Sequence, residues 1–217
     1  MPFVTFEGCE GCGKSTQAKR LAAHLQELGT TVAIFREPGG TEIGEAIRDL
    51  LQYSELNRAM TPETELLLFE ASRSQLVREK ISVAIERREW VICDRFFDST
   101  TVYQGVARNL DAALVDRLNR FAVGHCIPDV TFVLDIDPLT AHSRLRNRRV
   151  RDRMEEQSPE FYDRVRIAYR ELAQRETGRV VLIDGSRDVD EIAAEIWRTV
   201  AQRFAVSSEI RTPHSAI

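Results

Sequence analysis

Cysteine is scarce. The 217-residue chain holds four, Cys9, Cys12, Cys93 and Cys126, at uneven spacing, so no disulfide framework can be read from it and free thiols are expected. Long apolar runs are missing as well. No stretch approaches the ~20 residues that cross a bilayer, and 1–7 is too short and lacks the basic flank of a signal peptide. A cytoplasmic protein with no membrane contact is therefore expected. Eleven glycines and seven prolines are too few for a low-complexity or collagen-like chain. Positive charge is not in excess, since 30 Lys and Arg against 34 Asp and Glu leave a net charge of −4. That excludes a chain that holds nucleic acid by its overall charge, so any basic site must be local. Among the cations only Lys14, Lys19 and Lys80 are lysines. With so few, a lysine cannot be assumed to be surface filler, and Lys14 is the first to examine.

What is present is a globular composition, 43% hydrophobic and 29% charged, at a length that suits one compact domain. The expected division is one domain over 1–206, with an arginine-rich lid at 142–156 and a polar tail at 207–217. Five β-rich runs recur with helical stretches between them: 3–6, 31–35, 90–93, 130–134 and 180–183. Their nearly continuous apolar character suits strands covered on both faces, and the intervening lengths accommodate helical crossovers, so an α/β protein with a parallel sheet is expected. Ser158-Pro159 and Asp188 followed by Glu191 start helices. From Thr61-Pro62 to Arg88 the helical period is long enough for two helices with a bend.

Gly8-Cys9-Glu10-Gly11-Cys12-Gly13-Lys14-Ser15 fits G-x-x-x-x-G-K-[ST] and lies directly after the first strand and before a helical segment that begins at Thr16. In that context the glycines let backbone amides turn around phosphate oxygens, Lys14 reaches the β and γ phosphates, and Ser15 offers a hydroxyl to Mg²⁺. The site implied is one for a nucleoside triphosphate. Cys9 and Cys12 also have C-x-x-C spacing, but no second pair completes a zinc set. Their thiols lie near a helix start and Lys14, so oxidation that blocks the loop and inert packing beneath it both stand as readings.

A phosphate loop does not name the second substrate. The third strand runs into Asp94-Arg95-Phe96-Phe97-Asp98-Ser99-Thr100-Thr101-Val102-Tyr103-Gln104, at the sheet edge where ligands bind. Asp94 can orient Mg²⁺ or its waters, and Arg95 can grip an acceptor phosphate in bidentate fashion. Arg36-Glu37-Pro38-Gly39-Gly40-Thr41 ends the second strand in a turn that allows close approach of a ligand. Phe69 and Arg73 stand four apart, on one helix face, as a flat aromatic for a base and a donor for a carbonyl oxygen. Six arginines crowd Arg144 to Arg153. Among them Arg148, Arg149 and Arg153 are the candidates to meet transferring phosphate from a lid, with a solvated helix face as the alternative.

Taken together, the chain resembles the bacterial thymidylate kinases. The likeness rests on three ordered motifs, Glu7 to Thr16, Arg36 to Thr41 and Asp94 to Gln104, and spans nearly the whole sequence. It implies the P-loop nucleoside monophosphate kinase fold, with a five-stranded parallel sheet of order 2-3-1-4-5, a homodimer, and transfer of the γ-phosphoryl group of ATP to dTMP. It also implies stacking of Phe69 on thymine, Arg73 at a thymine carbonyl, and Thr100 and Gln104 beside the base. Tyr103 would crowd the sugar 2′ position, Arg95 would hold the dTMP phosphate and Glu10 would approach the 3′-hydroxyl. Arg36 and Arg48 would add contacts to phosphate or pocket. Gly11 after Glu10, with arginines in the lid, matches the lid-arginine subtype. Phe96, Val102, Cys9 and Cys12 depart from the residues usual at their positions. A deoxynucleoside kinase with Glu37 as base, and a regulatory P-loop ATPase, are the rival readings.

Overall fold

The computed structural model describes residues 1–145, 153 and 157–206. Five strands, β1 (Phe3–Glu7), β2 (Val32–Arg36), β3 (Trp90–Asp94), β4 (Val130–Asp135) and β5 (Val180–Asp184), form one sheet of order β2-β3-β1-β4-β5 with every neighbouring pair parallel. This is the sheet expected from the motifs. Each strand runs one residue past its apolar run, onto Glu7, Arg36, Asp94, Asp135 or Asp184. Apolar patterning stops where the core stops, whereas backbone pairing continues to the carboxyl edge. The central strands β1, β3 and β4 are buried along nearly their whole length, as parallel strands covered on both faces must be.

The α-helices among the described residues are α1 (Lys14–Glu27), α2 (Glu42–Gln52), α3 (Pro62–Leu76), α4 (Ser82–Glu86), α5 (Phe97–Thr100), α6 (Ala112–Val123), α7 (Pro138–Leu145), α8 (Pro159–Arg175) and α9 (Val189–Phe204). Ser158 caps α8 by accepting from the Phe161 amide. Asp188 caps α9 through the Asp190 amide at 2.8 Å, so the spacing to Glu191 is not the one used. The segment 61–88 shows no break. α3 passes into α4 through a π-turn, Val77–Ile81, which absorbs an extra residue that would otherwise put the apolar stripe out of register. A second π segment, Thr101–Ala107, continues α5.

Alternate strand residues feed opposite faces of the sheet. Val4, Phe6 and Ile92 pack with Leu21 and Leu25 of α1 and with Ile196 and Val200 of α9. Phe3, Val91 and Cys93 pack instead with Leu76, Val77 and Ile81 of the α3–α4 rod. A polar knot interrupts this core between β1 and β4. Thr5 and Thr131 share a 2.7 Å hydrogen bond across β1 and β4, Thr131 also donates to Asp98, and Arg179 clasps Asp98 in bidentate fashion at 2.6 and 2.8 Å. Asp98 is almost wholly enclosed. Replacing Arg179 with alanine leaves that carboxylate buried without its counter-charge, which costs about 3–5 kcal/mol. Urea unfolding of Arg179→Ala is expected to show a loss of that size; a loss under about 1 kcal/mol would mean that solvent reaches Asp98.

Candidate active site

The carboxyl edge of the sheet carries a cleft of about 420 Å³. Its floor is the loop between β1 and α1. Gly8 has φ +128, and a Cβ there would stand 2.5 Å from the Leu134 carbonyl oxygen, so only glycine fits. Gly13, with φ +102, turns the chain into α1 and leaves the helix amides facing the cleft. Lys14 Nζ lies across the loop, donating to the Cys9 carbonyl at 2.7 Å and the Gly8 carbonyl at 3.1 Å. Ser15 Oγ donates to Asp94 Oδ2 on the neighbouring strand. This hydroxyl and carboxylate form a hard, all-oxygen donor pair suited to Mg²⁺, which takes few protein ligands and keeps its waters and phosphate oxygens.

Arg95 stands at the centre of the cleft. Its backbone is left-handed, φ +70, a conformation that costs a non-glycine residue about 1–3 kcal/mol and persists only where neighbours enforce it. The enforcing group is Glu7, the buried last residue of β1. One carboxylate oxygen accepts the amides of Phe96 at 2.7 Å and Ser99 at 3.2 Å, and the other accepts the Ser99 and Tyr169 hydroxyls at 2.6 and 2.7 Å. Burial and the nearby Asp98 push the Glu7 carboxyl above its usual range, while Arg95, Ser99 and Tyr169 pull it back. Held in this way, Arg95 donates to the Gly8 carbonyl and Ser99 Oγ, both at 3.1 Å, and to Glu10 Oε1 at 2.7 Å. Tyr103 completes the group, its hydroxyl donating to Glu10 Oε2 at 2.9 Å.

The opposite wall is built by Phe69, Thr100 and Gln104, with Arg36, Glu37, Pro38 and Arg48 above the second strand. Arg36 pairs with Glu45 at 2.9 Å, and Arg48 donates to the Pro38 carbonyl at 3.0 Å. Arg73 does not reach the cleft. Only 1% of its side chain is exposed, and its guanidinium is taken up by Glu37, Glu70, Thr100, Asn119 and the Phe96 carbonyl. Sharing a helix face with Phe69 set its direction but not its depth, and a buried guanidinium draws carboxylates around it. Glu37 Oε1 has no partner, and burial raises this carboxyl to about 7 against the pull of Arg73.

A sequence profile described as thymidylate kinase matches residues 6–196. The chain belongs to the thymidylate kinase family. It is 45% identical to a thymidylate kinase of Geobacter sulfurreducens, covering 93% of this chain and 97% of that one. It is 41% identical to one of Kosmotoga olearia, covering 89% and 92%. The crystal structure of thymidylate kinase from Ehrlichia chaffeensis superposes with a TM-score of 0.74 at 34% identity, covering 92% of this chain and 97% of that one. The family places the chain among the kinases of nucleotide biosynthesis, and its motifs are those of the lid-arginine subtype.

Of the residues expected from the thymidylate kinase motifs, Glu10, Gly11, Gly13, Lys14, Ser15, Thr16, Arg36, Arg48, Phe69, Asp94, Arg95, Ser99, Thr100, Tyr103 and Gln104 line this one cleft. Gly8, Cys9 and Cys12 lie beneath it. Arg148, Arg149 and the tail 207–217 fall outside the described residues, as does most of the segment expected to be a lid. Arg153 is described and lies on Glu65, not in the cleft. Arg144, the first of the six clustered arginines, lines the cleft, as does Gln52, for which the sequence carries no signal; Glu7, the first residue of the phosphate-loop motif, reads from the sequence only as the acid that ends a strand.

Cys9 and Cys12 are both buried. A hydrogen bond to the Cys12 sulfur, together with burial, pushes the Cys9 thiol up. Burial opposes ionisation of Cys12 too, but Cys9, Lys14 and Arg95 outweigh it and bring that thiol down to about 6. Ultraviolet thiolate absorbance is expected to rise with a midpoint near 6, and this step is expected to vanish in Cys12→Ala. A first thiolate transition no lower than about 8 would instead make both residues ordinary packing.

Proposed function

We propose that this protein transfers the γ-phosphoryl group of ATP to the 5′-phosphate of dTMP, giving dTDP, in the cytoplasm and on the route to dTTP. The observation that carries this reading is the position of Arg95, between the phosphate loop and the wall of Phe69, Thr100 and Gln104. A monophosphate on Arg95 would point its base at that wall and its phosphate at Lys14. Arg95 and Arg36 would hold the acceptor phosphate, Phe69 would stack on the base, and Glu10 with Tyr103 would border the sugar.

The acceptor is already an anionic oxygen, so the barrier lies in bringing anions together. Lys14 and Arg95 supply fixed positive charge, and the loop amides and the start of α1 supply oriented donors. Ser15 and Asp94 would hold Mg²⁺, which when bound neutralises charge on the ATP phosphates. Arg144 adds a further cation to the wall. Leu67 of α3 and Leu114 and Phe121 of α6 expose apolar surface on two helices that pack together. We read that surface as the contact with a second copy in a homodimer.

A second reading has one observation in its favour. Glu37 lines the cleft with a free carboxylate oxygen and a value of about 7, which suits a base for a neutral 5′-hydroxyl, as a deoxynucleoside kinase requires. ADP release measured across the nucleoside monophosphates and thymidine separates the two. Turnover is expected with dTMP far above thymidine; the reverse order would establish the nucleoside kinase. Lys14→Ala is expected to lower kcat by about 10²-fold or more with unchanged circular dichroism. For Arg95→Ala the dTMP KM is expected to rise and kcat to fall together, because the anchored phosphate is also the nucleophile. Unaltered values in either variant would remove that residue from the reaction.

A further inference from the structure

Glu65 lies in the first turn of α3, with 1% of its side chain exposed. It does not line the cleft, and the chemistry above makes no use of it. Three side chains nonetheless converge on its carboxylate. Gln104 Nε2 donates to Oε1 at 2.7 Å, Arg108 donates to both oxygens at 3.2 Å, and Arg153 Nη2 donates to Oε2. Burial alone would raise the Glu65 carboxyl; the Gln104 amide and the two guanidiniums outweigh it and hold the group below the ordinary carboxylate range. An ionised carboxylate has no proton to give, so it only accepts.

That restriction decides which way Gln104 faces. A glutamine amide can present either its NH₂ or its carbonyl oxygen to a ligand, and the surrounding hydrogen bonds choose between them. Here the NH₂ is committed to Glu65, which leaves the carbonyl oxygen for the cleft wall that Gln104 shares with Thr100 and Phe69. A carbonyl oxygen accepts from the imide N–H that lies between two ring carbonyls in thymine or uracil. At the equivalent ring nitrogen cytosine carries a lone pair, so two acceptors would meet with no proton between them.

We propose that Glu65 is a positioning residue that sets the pyrimidine selectivity of the cleft, locking the Gln104 amide with its carbonyl toward the base so that an imide-bearing base is accepted and cytosine is rejected. The proposal rests on the dTMP reading above and adds to it the group that enforces base choice from outside the cleft. Arg108 and Arg153 keep Glu65 charged, and so keep the amide from turning over.

The test compares kcat/KM for dTMP and dCMP in the parent and in Glu65→Gln. The new amide is nearly isosteric but donates as well as accepts, so Gln104 becomes free to turn. The preference for dTMP is expected to fall by about tenfold or more, chiefly through the dTMP KM. Glu65→Asp, which again only accepts, is expected to keep most of the preference. A merely structural role would lower both substrates in proportion; an unchanged ratio therefore overturns the proposal. Should Glu65→Gln not fold, the side-chain amide of Gln104 in the isotope-labelled parent gives the answer, assigned by its absence in Gln104→Leu. Those protons are expected to exchange slowly, and exchange at the rate of an exposed glutamine would overturn the proposal. A parent with no preference for dTMP over dCMP removes both the functional reading and the proposal, whereas a preference that survives Glu65→Gln removes the proposal alone.

Discussion

The carboxylate of Glu7 is the constraint on which the cleft depends. It leaves the end of β1, beside the phosphate loop, and collects two amides and two hydroxyls from chain segments that follow β3 and from α8. Each amide left without it would be a buried donor unsatisfied at a cost of about 1–3 kcal/mol. Together these bonds pull the Phe96–Ser99 turn against the strand, and the left-handed backbone of Arg95 is what remains when the turn is held so closely. The same carboxylate thus ties the floor of the cleft to the arginine above it. Gly8 reinforces the tie, since its carbonyl accepts from both Lys14 and Arg95 at 3.1 Å.

An acidic chain holds its arginines, in the cleft and around it, by pairing them with carboxylates. Glu10 backs Arg95, Glu45 backs Arg36, Glu37 and Glu70 back Arg73, and Glu65 backs Arg108 and Arg153. Asp135 does the same for Arg166 and Arg170 on α8. A buried guanidinium that lost its hydrogen-bonded carboxylate would be an uncompensated charge, at a cost of about 3–5 kcal/mol. The arrangement also fixes where each guanidinium points. Lys14 differs, since its Nζ is held by carbonyl dipoles and a sulfur, with no carboxylate in the set.

What could be read from the sequence was whatever depends on near neighbours. The phosphate loop needs its glycines, lysine and serine within eight positions, and it was legible as a unit. The five strands were legible from apolar runs, and Phe69, Thr100 and Gln104 from a resemblance carried by short motifs. The residues that orient these groups were not legible, because their partners are remote. Glu7 bonds residues 89 and 162 positions away, and Glu65 meets Gln104 and Arg153 at 39 and 88. From local pattern Glu65 is an ordinary acid in the first turn of a helix, stabilised there by the helix dipole. Arg73 shows the limit of periodicity. Its spacing from Phe69 gives a shared face, but nothing in the spacing says that one side chain ends in the cleft and the other in the core.

The two ends of the cleft are set by one piece of backbone. Ser99, Thr100, Tyr103 and Gln104 hang from α5 and the π segment that continues it. Ser99 and Tyr103 meet Arg95 and Glu10 beside the phosphate loop, whereas Thr100 and Gln104 meet Arg73 and Glu65 behind the opposite wall. Glu7 fastens the start of this run and Glu65 its further turn. A π turn widens the helix by one residue and re-aims the side chains that follow, which lets a single run turn hydroxyl, phenol and amide toward different partners. Because both anchors are buried carboxylates with several donors each, neither end can slide without leaving polar groups unpaired. The span between Arg95 and the wall of Phe69, Thr100 and Gln104 is therefore fixed by the chain's own buried hydrogen bonds.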